Sequence, residues 1–169
     1  GFIDQEVTSR YAIYNGDSME MMAGLPDNSI HASIYSPPFG GLYNYSSDDR
    51  DLSNARDYAE FGEQYQYFVR GIKRITMPWR MTAVHAAPVK LSNTGRDSMS
   101  DLPGDIIRWH QDEGFDWVAR HVIWKEPLAV RNRTMAKDLA HKTIVDDGTM
   151  GGVATADELL IFRKPGHSI

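Results

Sequence analysis

The stretch Ile30-His31-Ala32-Ser33-Ile34-Tyr35-Ser36-Pro37-Pro38-Phe39 carries the strongest local signal in the chain. Its first six residues form an apolar run of strand length. Two consecutive prolines then end the run, because proline lacks the N–H group that a strand ladder requires. We therefore predict a strand over 30–35, with Ser36 directly at its carboxyl end.

A second strand-and-turn pattern precedes this stretch. The apolar and aromatic run 11–14 leads into Asn15-Gly16-Asp17, which predicts a strand followed by a turn. Apolar residues at helical spacing then predict a short helix over 18–25, for which Asp17 is a candidate N-cap.

The same alternation of strands and helices continues downstream. Residues 57–76 carry the clearest helical periodicity, and residues 102–113 form a second helix that Asp101 precedes as a cap. The remaining predicted strands are 81–87, 116–124 and 159–162. Such alternation predicts an α/β domain with a mostly parallel sheet and helices on both faces.

The segments between these elements are predicted as loops. Residues 39–56 and 91–101 are polar, and residues 128–156 are irregular and basic with a short helix expected at 134–141. Trp109 and Trp124 are expected to be core residues rather than surface aromatics.

Length and composition indicate one globular domain over residues 1–169. The chain has 41% hydrophobic and 24% charged residues, a net charge of -5 and no apolar run long enough for a membrane span. It has no cysteine, which excludes disulfides and cysteine-bound zinc, and together with the absence of a secretion signal this indicates a cytoplasmic protein. None of the histidines has metal-ligand spacing, so no metal site is expected and all are interpreted as structural or surface residues: 31, 85, 110, 121, 141 and 167.

Charge is unevenly distributed along the chain. Residues 70–90 contain five bases and no acid, and residues 120–142 contain six bases against two acids, whereas 48–63 is acidic. The two basic segments could form a phosphate-binding face, or they could be solvated surfaces that balance the acidic stretch.

The stretch from Tyr14 to Phe39 resembles the entry segment of the amino-type DNA methyltransferases, including their catalytic tetrapeptide. Weaker similarity continues through 57–76, 105–115, 122–127 and 157–164. The resemblance implies a Rossmann-like α/β fold and transfer of a methyl group from S-adenosylmethionine to an exocyclic amine of a DNA base, in a bacterial or phage-infected cell.

The tetrapeptide suits this chemistry. An exocyclic amine is a poor nucleophile, because its lone pair is delocalised into the base. The resemblance implies that the Ser36 side chain and the Pro37 carbonyl accept hydrogen bonds from the amine, while Pro37 and Pro38 stiffen the backbone. Phe39 would stack on the base after it leaves the duplex. Direct displacement forms no covalent enzyme intermediate, so the lack of cysteine is no obstacle.

Further candidate site residues come partly from the resemblance and partly from local sequence pattern. Asp17 and Tyr35 are expected on the cofactor side, although Asp17 could also serve only as a helix cap. The segment 40–45 is either a lid or a plain loop, and as a lid it would turn Tyr43 and Tyr45 toward DNA. Arg131 and Arg133 are candidates for DNA contact or for solvated loop charges.

The target base is not fixed by these residues. Serine at the first motif position resembles the cytosine-N4 branch of the family, but a hydroxyl and a carboxylate can both accept a hydrogen bond from an amine. Adenine-N6 methylation therefore remains an alternative. A methyltransferase that acts on RNA or on protein glutamine is a further one.

One expected feature is missing. The family binds S-adenosylmethionine with a Phe-x-Gly-x-Gly turn, which this chain lacks, and the glycine-rich segment 148–153 is predicted as an ordinary loop. In the permuted β-type arrangement the glycine-rich cofactor half follows the catalytic segment. We therefore expect an incomplete sheet and leave three explanations open: a piece of a longer polypeptide, a second chain that supplies the turn, or a non-catalytic DNA-binding relative.

Overall fold

A computed structural model describes residues 2–38, 58–91, 98–126 and 156–167. Within these ranges the elements follow one another as β1 (Phe2–Val7), β2 (Ala12–Gly16), α1 (Ser18–Ala23), β3 (Ile30–Tyr35), α2 (Tyr58–Ile75), β4 (Thr76–Ala86), β5 (Val89–Leu91), β6 (Ser98–Ser100), α3 (Leu102–Asp112), β7 (Asp116–Ile123) and β8 (Asp157–Arg163). No helix of the described ranges is both long and apolar enough to cross a membrane.

Four strands form the main sheet, in the order β3-β4-β8-β7. β3 and β4 are parallel, with Tyr35 opposite Val84. β8 lies between β4 and β7 and runs antiparallel to both. The expected mostly parallel sheet is therefore not confirmed. The described sheet is mixed, because the last strand returns into its middle in the opposite direction.

The two long helices cover one face of this sheet. Val84, Leu160 and Phe162 point toward α2 and α3 and are fully buried in the core that these helices close. On the opposite face Ile34 is 79% exposed and Met81 is 49% exposed. The expectation of helices on both faces is thus not met within the described ranges, where the long helices pack on the same side.

β2 does not belong to the main sheet. It pairs antiparallel with β1, which the sequence analysis did not predict, and Val7 lies opposite Ala12 in this hairpin. The strand predicted at 11–14 exists, but its partner is the preceding segment rather than β3. A second short hairpin, β5–β6, occupies part of the segment predicted as a polar loop.

β4 begins at Thr76, earlier than the predicted residue 81. Pro78 and Trp79 lie inside the strand, where Trp79 has a φ of 64° and the register opposite β3 shifts between Ile30 and Ala32. This bulge accommodates a proline that would otherwise interrupt a central strand.

Lys164 connects the end of α2 to the sheet. Its ammonium group donates to Oδ1 of Asn28 at 2.7 Å, to the Lys73 carbonyl at 2.7 Å and to the Thr76 carbonyl at 2.8 Å. A positive charge at the C-terminal carbonyls of a helix is favourable. Burial lowers the pKa of Lys164.

The core between α2 and α3 is aromatic. Tyr65 of α2 stacks on Phe61 and Phe68 and contacts Trp109 of α3. Gly62 permits this close approach, because a Cβ at that position would lie 2.7 Å from the indole of Trp109. Trp109 therefore packs against the core as predicted.

Trp124 does not lie in the core. It follows β7 and is 75% exposed, so the prediction that it is a core residue was wrong. Trp124 directly follows β7, which is an edge strand of the described sheet.

Candidate functional site

The carboxyl ends of β3 and β4 meet at one edge of the main sheet, and Ser36 lies there. The hydroxyl of Ser36 donates to the backbone carbonyl of His85 at 3.0 Å, which ties the end of β3 to the end of β4. The side chain is otherwise exposed. Because its only hydrogen is used in this bond, the oxygen of Ser36 presents lone pairs to an approaching donor.

The two prolines hold the chain beyond Ser36. Pro37 is buried and Pro38 is half-buried. Ring closure fixes φ of Pro37, and the ring of Pro38 restricts ψ of Pro37, so the Pro37 carbonyl has little freedom of direction. The structure thus places Ser36, Pro37 and Pro38 together at the strand end, as the sequence predicted.

Three side chains that the sequence analysis did not assign to the site lie at the same edge. Nε2 of His85 is 2.6 Å from Oδ2 of Asp157, and the ammonium of Lys125 contacts the same oxygen. Asp157 begins β8, whose antiparallel direction brings its amino end to this edge. The missing signal was the direction of β8: only an antiparallel last strand places Asp157 beside His85.

Asp17 caps α1. Its Oδ1 accepts from the backbone N–H of Met19 at 2.8 Å and from that of Glu20 at 3.0 Å. The side chain is half-buried. The capping interpretation is therefore confirmed, while its expected role beside a cofactor stays a prediction.

Tyr35 points away from Ser36, into the core. Its hydroxyl lies 2.9 Å from Nε2 of His110, and its ring meets Phe68 edge-on. Burial raises the pKa of Tyr35 and keeps the phenol neutral. Its placement on the cofactor side stays a prediction.

His110 is the buried histidine of this core. Its Nδ1 lies 2.7 Å from the Ile106 carbonyl and therefore donates, which leaves Nε2 to accept from Tyr35. Its ring stacks on Phe162 at a centroid distance of 3.9 Å. Burial lowers the pKa of His110 to about 4.

This lowered pKa predicts a specific acid sensitivity. The unfolded chain binds a proton at this residue below pH 6.5, whereas the folded chain resists it down to about pH 4. The free energy of unfolding is therefore highest, as far as His110 is concerned, above pH 6.5. It decreases by about 3 kcal/mol as the pH falls from 6.5 toward 4. We expect His110→Gln, which keeps an acceptor for Tyr35, to remove this part of the pH dependence.

Urea denaturation at several pH values between 7 and 4 measures the effect. Carboxylates also titrate in this range, so the informative quantity is the difference between the original chain and the variant. His31→Gln, at an exposed position of β3, is the matched control and should retain the full dependence. If the free energy of unfolding changes with pH to the same extent in the original chain and in His110→Gln, the prediction is contradicted.

Several predicted site residues lie outside the described ranges: Phe39, Tyr43, Tyr45, Arg131 and Arg133. The lid predicted at 40–45, the short helix predicted at 134–141 and the glycine-rich segment 148–153 also lie outside them. In the described part of the chain, no group of three acidic, histidine or cysteine residues could hold a metal ion.

No protein-family model matches the chain. Its sequence is 24% identical over 133 residues to the type II methyltransferase M.SfiI from Streptomyces fimbriatus. The match covers 71% of this chain and 31% of that enzyme.

Two solved structures share the fold. One is a candidate DNA modification methylase from Thermus thermophilus in complex with S-adenosyl-L-methionine, with a TM-score of 0.64 and 22% identity over 91% of this chain and 55% of that chain. The other is the cytosine-N4-specific PvuII DNA methyltransferase, with a TM-score of 0.64 and 16% identity over 100% of this chain and 56% of that chain.

The sequence match and both structural matches are to proteins described as methyltransferases or methylases. The chain spans about a third of the length of its sequence relative and somewhat more than half of each of the two structures. The structural matches establish a Rossmann-like α/β fold. Together with the sequence match, they confirm the resemblance to the amino-type DNA methyltransferases.

Proposed function

From this resemblance and the shared fold, we propose that the chain carries the target-base part of a DNA methyltransferase that depends on S-adenosylmethionine. The proposed reaction is methylation of the exocyclic N4 amine of cytosine. Adenine-N6 methylation is the alternative within the same chemistry. The sequence relative and the structural matches support the enzyme class.

One observation carries the proposal. Ser36 stands at the carboxyl end of β3, and its hydroxyl hydrogen is already bonded to the His85 carbonyl. Ligands of open α/β sheets bind at the carboxyl ends of strands. An oxygen fixed there with its lone pairs available is suited to accept an N–H bond of a base amine, and fixed acceptors require no rearrangement during reaction.

The cofactor supplies the methyl group, and the described residues suit only part of it. The Asp17 carboxylate can accept from the hydroxyl or amino groups of an adenosine. The chain has no Phe-x-Gly-x-Gly turn, which is the feature that the resemblance implies for binding the rest of the cofactor. This mismatch supports the expectation that a further segment or a second chain completes the site.

The choice of cytosine rests on Ser36 and on the likeness to a cytosine-N4-specific enzyme. We further propose a role in restriction and modification, while DNA binding through the basic segments and a cytoplasmic location remain predictions. So do Phe39, Tyr43 and Tyr45 as groups that contact the base or the DNA.

The first experiment measures binding and then transfer. Calorimetric titration of the chain with S-adenosylmethionine should show saturable one-to-one binding if the site is complete. Labelled methyl transfer to genomic DNA from a strain without DNA methyltransferases should follow, and mass spectrometry of the digested nucleosides identifies the methylated base. N4-methylcytosine supports the proposal, and N6-methyladenine supports the alternative.

If the folded chain does not bind S-adenosylmethionine, the transfer assay is repeated with a second polypeptide. Transfer that appears only when a polypeptide with the glycine-rich turn is added would support the proposal. A chain that remains inactive with such a polypeptide, yet binds DNA, would overturn the enzymatic assignment in favour of a DNA-binding relative.

Asp17 offers a test of the cofactor side. Asparagine is as good an N-cap as aspartate, so Asp17→Asn should leave the melting temperature of the chain nearly unchanged. It removes the charge, which should weaken binding of S-adenosylmethionine by about 10-fold if the carboxylate contacts it. Asp17→Ala should lower both binding and stability. Unchanged binding in Asp17→Asn would restrict Asp17 to capping.

A further inference from the structure

His85, Asp157 and Lys125 form a connected group beside Ser36. The Asp157 side chain is 4% exposed and has two nitrogen partners, the imidazole of His85 and the ammonium of Lys125. The imidazole itself is 38% exposed. A buried carboxylate therefore holds a ring that is still open to molecules at the sheet edge.

Asp157 fixes the protonation pattern of this ring. An ionised carboxylate only accepts hydrogen bonds, so Nε2 of His85 must donate to it. In a neutral imidazole the proton acceptor is then Nδ1. Lys125 balances the charge of Asp157, so the carboxylate does not stand as an uncompensated buried charge while His85 is neutral.

The ring and the Ser36 hydroxyl share a face of the sheet. Tyr35 is paired with Val84, and both point toward the helices. Ser36 and His85 each follow one position later, so strand alternation puts their side chains on the opposite face. The hydrogen bond from Ser36 to the His85 carbonyl keeps the two strand ends together.

We propose that His85, oriented by Asp157, binds the proton that the target amine releases during methylation. This inference rests on the proposed function. The amine nitrogen bonds to the methyl carbon of S-adenosylmethionine as the bond between that carbon and the sulfur breaks. The sulfur keeps the electron pair of the broken bond. An N–H bond of the amine breaks in the same step, its electrons remain on nitrogen, and the proton joins Nδ1 of His85.

The products balance. The base carries a neutral methylated amine, the cofactor has become a thioether, and His85 is an imidazolium whose Nε2–H still donates to Asp157. Among the described residues, Asp157 from β8 pairs with the ring, and Lys125, shortly after β7, pairs with the same carboxylate. Asp157 acts through His85 and is a positioning residue, and the half-exposed ring can return the proton to water.

Single-turnover methyl transfer tests this role. His85→Ala should transfer about 100-fold more slowly, as expected for loss of a general base. Added imidazole should restore part of the rate, because it can occupy the space of the missing ring and accept the proton. His31→Ala, at the end of β3 that is remote from Ser36, should transfer at the original rate and ignore imidazole.

Asp157→Asn gives a readout that does not depend on activity. Nitrogen-15 NMR should show His85 with its proton on Nε2 in the original chain and a mixture of tautomers in the variant. A proton on Nδ1 in the original chain would overturn the inference. If His85→Ala does not fold, His85→Gln replaces it in the transfer assay, without the imidazole arm.

The outcomes separate this inference from the proposed function. Full activity of His85→Ala, or a loss that imidazole does not restore, overturns the role of His85 and leaves the methyltransferase assignment in place. If neither the original protein nor His31→Ala methylates DNA, even with a polypeptide that carries the glycine-rich turn, the proposed function fails and this inference fails with it.

Discussion

Replacing Ser36 by alanine is expected to slow methyl transfer by about 100-fold, as the loss of one preorganised polar group does in other active sites. The hydroxyl is an acceptor that the strand end holds in place before substrate arrives, because its own hydrogen bonds to the His85 carbonyl. Alanine leaves the amine without this fixed acceptor.

The same substitution should barely affect folding. Ser36 is exposed, and the loss of one hydrogen bond at an exposed site costs about 1 kcal/mol or less. Ser33→Ala is the matched control: Ser33 lies on β3 too, and its hydroxyl donates to Thr82 of β4 at 2.7 Å, but on the face toward the helices. Ser33→Ala should transfer methyl groups at the original rate. Equal rates for all three proteins would remove Ser36 from the reaction.

Truncating Tyr65 to alanine is expected to lower the free energy of unfolding by about 4 kcal/mol. The ring is fully buried and stacks between Phe61 and Phe68, so its removal leaves a cavity where α2 and α3 meet. Domains of this kind are stable by only about 5–15 kcal/mol, so the variant would lose a large part of its stability.

Tyr65→Phe separates the ring from its hydroxyl. The hydroxyl makes a long hydrogen bond of 3.5 Å to Tyr35, so its loss should change the free energy of unfolding by less than about 1 kcal/mol. Urea denaturation of the three proteins measures both effects. A loss of less than about 1 kcal/mol in Tyr65→Ala would mean that the helices close the cavity on their own.

Local pattern was sufficient where one segment decides its own structure. The apolar run before Pro37 predicted β3 to the residue, and helical periodicity predicted α2 to within one residue at each end. Trp109 was assigned correctly for the same reason, since it lies on the apolar side of α3.

Pattern was insufficient where the outcome depends on a partner strand. β2 has the sequence of a sheet strand, yet β1 takes it out of the main sheet. The direction of β8 cannot be predicted from its own residues. Because the contact between Asp157 and His85 depends on that direction, it could not be predicted from the sequence either. The place of Ser36, Pro37 and Pro38 at the end of β3 could therefore be predicted, because these residues are contiguous. The contact of His85 with Asp157 could not, because it joins two different strands.

The position of β8 also has a consequence for synthesis of the chain on the ribosome. β4 and β7 are both made before β8, but they are not neighbours, because β8 fills the space between them. At 5–20 residues per second, roughly two to seven seconds separate the completion of β7 from the start of β8. During this interval β4 is paired on one side only, by β3, and β7 has no partner strand in the described sheet. Nascent chains that pause there should be the ones most dependent on a chaperone.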